Sequence, residues 1–106
     1  MRQAPDRSEF FAERVREQPE NVLFRFSYGQ ALVNAGRAAE AVDHLKVAAA
    51  SRADWMVPRI LLGKAYQASR DIPAARAAFD DALALARSQG HEEPEEEPLV
   101  LIAALG

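Results

Sequence analysis

The two histidines, His44 and His91, are the first places to look for proton transfer or metal ligation. They belong to different segments, and neither opens a spacing such as H-E-x-x-H that would set two ligands and a base on one helix face. His44 follows Asp43 in a helix-forming stretch and is expected on its solvated side. His91 precedes Glu92 and Glu93, but contiguous side chains on a tail rarely converge on one ion. Asp80 and Asp81 form a carboxylate pair, yet neighbours on a helix point about 100° apart and do not share a proton. The chain has no cysteine, which excludes thiolate nucleophiles, thiolate metal sites and disulfides. It also has no G-x-S-x-G and no glycine-rich phosphate loop. These residues assign no catalytic, cofactor or metal role, and the expectation is a non-enzyme.

Charge narrows the partners further. Residues 1–90 carry 13 basic and 11 acidic side chains, and residues 91–106 add five glutamates and no base, for a net charge of −3. A nearly neutral body with an acidic tail gives no reason to expect nucleic acid. Arg7, Arg14 and Arg16 come nearest to a basic stripe, but Glu9, Glu13 and Glu17 are interleaved at salt-bridge spacing. The start of the chain is polar and the longest apolar run, residues 99–105, is far short of the ~20 residues that span a bilayer. No membrane association is expected, and the default location is cytoplasmic.

Whatever the chain binds must therefore be presented by its fold. A length of 106 residues with 49% hydrophobic residues allows a single domain with its own core. Alanine, the best helix former, supplies 22 residues, which points to closely packed helices. Asn21 is a cap candidate, Pro58 and Pro73 suit first helical turns, Asp71 precedes one of them, and Gly36 and Gly90 suit helix ends. The spacing predicts helices near 7–18, 21–35, 38–51, 56–69 and 73–89. Residues 91–97 read as an acidic linker, and Pro98 as the opening of an apolar helical segment over 98–105 that caps the last hairpin.

A shift of 34 residues places Gly29 over Gly63, Ala31 over Ala65, Leu32 over Tyr66, Ala41 over Ala75, Leu45 over Phe79 and Ala48 over Ala82. Glycine inside a helix costs about 1 kcal/mol relative to alanine, so its recurrence marks a close helix crossing. The pattern Leu62-Gly63, Tyr66, Ala75, Phe79, Ala82, and its looser counterpart Tyr28-Gly29, Leu32, Ala41, Leu45, Ala48, resembles the tetratricopeptide repeat (TPR). The family's early tryptophan is replaced by Arg25 and Arg59, and its closing proline by Ala53 and Arg87.

The resemblance implies an all-α fold, a right-handed α-α superhelix of helical hairpins. Residues 22–55 form repeat 1 and residues 56–89 repeat 2. Residues 6–19, with Phe11 in the place of Leu45 and Phe79, form an N-terminal half-repeat capping helix. The family's use of such a fold implies an adaptor that holds a peptide or helix of a protein partner on the concave face. That face should present Leu23, Phe26, Gln30, Val33 and Asn34 from repeat 1, and Val57, Ile60, Lys64 and Gln67 from repeat 2. The family's carboxylate clamp is not implied, because Phe26, Gln30 and Leu61 stand where it needs lysine and asparagines. Two repeats fall below the three usually needed for a stable solenoid. The alternative is therefore a self-associating unit, such as a homodimer, whose groove is filled by its own C-terminal segment.

Overall fold

The computed structural model describes residues 7–89 and 93–105, and every regular element among them is a helix. In chain order these are α1 (Ser8–Glu17), α2 (Val22–Asn34), α3 (Ala38–Ser51), α4 (Val57–Ala68), α5 (Ile72–Ser88) and α6 (Glu93–Ala104). Each packs on the next, and α2 also touches α4, so hairpins α2–α3 and α4–α5 lie side by side.

Local chemistry sets the helix ends. Asn21 Oδ1 accepts from the Phe24 N–H at 3.2 Å, and Asp71 Oδ1 accepts from the Ala74 N–H at 3.2 Å. Pro58 and Pro73 occupy first turns, where a missing N–H costs nothing. α2 and α4 close on the same pair of bonds. Arg37 N–H reaches Leu32 O and Gly36 N–H reaches Val33 O; one repeat later Asp71 N–H reaches Tyr66 O and Arg70 N–H reaches Gln67 O. The turn needs a positive φ, which Gly36 supplies at 78° and Arg70 must adopt at 66°.

The core is built from small residues on the second helices and a few large ones between them. Leu32, Leu45 and Phe79 are fully buried, as are Ala41, Ala48, Ala65, Ala75 and Ala82. A Cβ on Gly29 would stand 2.7 Å from Leu45 Cγ, and one on Gly63 would stand 2.8 Å from Phe79 Cζ. Both lie well inside van der Waals contact, so the glycines are what let α3 and α5 seat against α2 and α4.

α1 packs on α2 and is tied to α3 as well. Arg37 Nη1 donates to the buried Ser8 Oγ at 3.2 Å, while its Nε and Nη2 grip Glu40 at 2.7 and 2.8 Å. Arg14–Glu17 and Arg16–Glu13 pair along the exposed side of α1. The first residue of the half-repeat at 6–19 lies outside the described residues.

The C-terminal boundary requires a correction. The acidic stretch is not a linker up to residue 97, because α6 already begins at Glu93 and runs through Pro98. Glutamate is a good helix former and its charge suits the positive end of the helix dipole, so these residues start the helix themselves. Pro98 is the sixth residue of α6 and takes one intrahelical bond from it, since it lacks the N–H that would reach the carbonyl of residue 94 one turn back. It is fully buried in a helix that packs on α5. Residues 91 and 92 lie outside the described residues.

Candidate functional site

Alternate helices of the stack, α2, α4 and α6, border a cleft of about 490 Å³. Its lining is Gln30 from α2, Met56 just before α4, Val57, Ile60, Leu61 and Lys64 from α4, and Glu97 from α6. Successive α4 positions 57, 60, 61 and 64 share one helix face, which explains why this stretch supplies most of the floor. Val57 is 46% exposed and Leu61 half-buried, whereas Ile60 is buried beneath them. Across the cleft Lys64 Nζ meets Glu97 Oε1 at 3.2 Å, joining α4 to α6.

The structure brings Gln30, Val57, Ile60 and Lys64 of the sequence-predicted residues to this cleft, and five others lie outside its lining. Leu23 stands exposed in the first turn of α2, and Asn34 is exposed at that helix's last position. Val33 is half-buried against the core around Leu32 and Leu45. Gln67 is half-buried on the last turn of α4. Phe26 stacks on Trp55, with ring centroids 4.9 Å apart and planes at 44°. That contact accounts for the extra aromatic on α2. From α6 the lining takes Glu97, the residue just before the apolar segment 98–105.

Met56, Leu61, Glu97 and the Phe26 partner Trp55 were missed by the sequence reading. Glu97 was hidden by the linker assignment. Trp55 is the chain's single tryptophan, and a lone large aromatic is a usable signal of a ring partner for Phe26. The loop that holds Trp55 is well fixed. Arg59 Nη1 donates to Trp55 O at 2.6 Å and to Arg52 O at 3.3 Å, and Gln89 Nε2 donates to Asp54 O at 2.7 Å. The Arg52 guanidinium lies 5.9 Å from the Trp55 ring centre. Arg25 acts in the same way one repeat earlier, donating from Nε to Pro19 O at 2.9 Å. Both arginines occupy the repeat position of the early tryptophan and staple the loop before their own helix.

His44 is not on a fully solvated side. Its ring lies 4.6 Å from that of Tyr28, and Arg25 Nη1 donates to its Nδ1 at 3.3 Å, which leaves the ring proton on Nε2. Burial first, then the Arg25 charge, hold its pKa below the ordinary value of 6.5, with Asp43 opposing them. Asp80 and Asp81 are exposed on α5. Among the described residues no group of three or more histidine and carboxylate side chains is placed to hold a metal ion. No helix among them is long and apolar enough to cross a membrane.

No protein-family model matches the sequence. Over 86 residues the chain is 35% identical to TPR repeat-containing protein PA0015 of Pseudomonas aeruginosa, spanning 81% of this chain and 82% of that protein. The chain belongs to the TPR family. The fold agrees: the solution structure of protein BPP2914 from Bordetella parapertussis matches it with a TM-score of 0.77 and 28% identity, over 98% of this chain and 89% of that one. For this TPR chain the family places the role among protein-interaction repeats.

Proposed function

We propose that the chain is a non-enzymatic adaptor that holds a peptide or short helix of a protein partner in the cleft between α2, α4 and α6. The observation that carries this reading is the lining itself. Val57 and Leu61 keep apolar surface open to water beside the polar ends of Gln30, Lys64 and Glu97. Apolar floor with a few convergent polar groups is the usual chemistry of a peptide-binding cleft. Gln30 can donate to and accept from an extended peptide backbone, and the floor can take one large side chain. The carboxylate-clamp mode is not part of this reading, since Phe26 is stacked on Trp55 and Lys64 is paired with Glu97.

Titration with binding peptides tests it. Val57→Gln changes an exposed position, so helicity should hold while affinity falls roughly tenfold, the worth of one buried aliphatic side chain. Binding that ignores Val57→Gln would move the site off this cleft.

A second reading, self-association, is favoured by α6, where Leu99 and Val100 are exposed, the latter at 67%. A helix with apolar residues on its open face is a common oligomer contact. Mass in solution separates the two: a concentration-independent monomer leaves the adaptor reading, and a dimer lost in Val100→Ser supports the second.

A further inference from the structure

Helices α1 and α6 leave open the two opposite faces of one hairpin. The 34-residue shift sets Phe10 on His44, and Phe11 on Leu45 and Phe79. In the complete hairpins these positions on the second helix meet its own first helix: His44 lies against Tyr28, Leu45 fills the space over Gly29, and Phe79 that over Gly63. On α1 the same face is open. Phe10 is 56% exposed and Phe11 half-buried, their rings edge to face with centroids 5.1 Å apart.

Helix α6 has the faces of a first helix. A shift of 40 residues puts Pro58 on Pro98, both fully buried, and Leu61 and Leu62 on Leu101 and Ile102, all half-buried. The same shift puts Val57 on Glu97, both in the cleft lining. Matching buried and cleft faces leave the third face of α6 as the counterpart of the one α4 turns to α5. There Gly63, under the Phe79 ring, falls on Ala103, which is exposed. Leu99, one turn earlier, is also exposed, and the buried Ile60 has its counterpart in Val100 at 67% exposure.

We infer that copies of this chain associate head to tail, with α1 of one copy serving as the second helix for α6 of another. A second copy's Phe11 seats over Ala103 and Leu99 as Phe79 seats over Gly63, and its Phe10 closes over the same patch. A second-helix face lacking a first helix and a first-helix face lacking a second one fit each other, whereas two copies of either do not. The contact joins two different surfaces, so it repeats along a row of copies or closes into a ring. Glu97 and Ala103 lie on different faces of α6, and the cleft stays open. The inference rests on the self-association reading and gives it a geometry.

Mixing two variants, each blocked at one end, tests the inference by sedimentation. Phe10→Asp blocks the α1 face and Val100→Asp the α6 face, both at exposed positions, so circular dichroism should show unchanged helicity. The unmodified chain should gain mass as its concentration rises. Each variant alone should stay monomeric, and the two mixed should form a one-to-one heterodimer, because one intact face of each kind remains. A Phe10→Asp variant that still dimerises, beside a mixture with no heterodimer, would overturn the head-to-tail contact and leave self-association through α6 alone. An unmodified chain that stays monomeric across the concentration series would overturn the inference and the self-association reading together, whatever the variants do.

Discussion

The Phe79 ring occupies the space that a Cβ on Gly63 would need, with Cζ 2.8 Å from that point. Leu45 does the same at Gly29 in the preceding repeat, with Cδ2 at 2.8 Å. Two hairpins thus share one joint, and the joint holds α4 in the position that gives the cleft its floor.

Gly63→Ala should therefore destabilise the fold by about 1–3 kcal/mol, because a fully buried aromatic ring has no room to withdraw. The gain in helix propensity, below about 1 kcal/mol, does not offset this. Gly29→Ala should cost less, since the aliphatic Leu45 side chain can change rotamer where a ring cannot. Thermal unfolding of both variants checks the order, and a stabilised Gly63→Ala would contradict the joint.

Arg70 holds the left-handed turn that Gly36 holds one repeat earlier, with φ at 66° against 78°. A non-glycine residue pays about 1–2 kcal/mol for this conformation. Arg70→Gly should stabilise the chain by about 1 kcal/mol after the added freedom of the unfolded state is subtracted, and raise Tm by a few degrees. A lowered Tm would show that the Arg70 side chain contributes more than its backbone costs.

His44 predicts a pH dependence. Its pKa in the fold lies below the ordinary 6.5, held there chiefly by burial and then by Arg25, so the fold prefers the neutral ring. The unfolded chain then binds the proton more readily. Stability from this residue is complete above the unfolded pKa and declines as pH falls from about 6.5 towards the folded value. Denaturant titrations across that range should show the slope, and His44→Gln should flatten it. A slope that survives the substitution would assign it to other groups.

The repeat was legible because its evidence is steric. Gly29 and Gly63 sit under Leu45 and Phe79 at one period, and alanines line the second helices, so spacing alone reports the packing. The helix starts at Asn21 and Asp71 were legible for the same reason, as single side chains that satisfy a backbone donor. The cleft was legible only where it depends on one helix: Val57, Ile60 and Lys64 share a face of α4 by period. Glu97 joins it through the packing of α6 on α5, which no local pattern encodes, and Pro98 was misleading because a proline inside the helix looks like its beginning. Phe26 was read as open for want of Trp55, whose position depends on Arg59 and Gln89 fixing the loop around it.

The most direct test of the account is to map backbone amide shifts while titrating in a peptide that the chain captures from a random-peptide display library. Changes should centre on Gln30, Val57, Leu61, Lys64 and Glu97, and the Trp55 indole, outside the lining, should respond more weakly. Changes centred instead on Val47, Asp80 and Asp81, exposed on the second helices α3 and α5, would contradict it and place the binding surface on the opposite side of the hairpins.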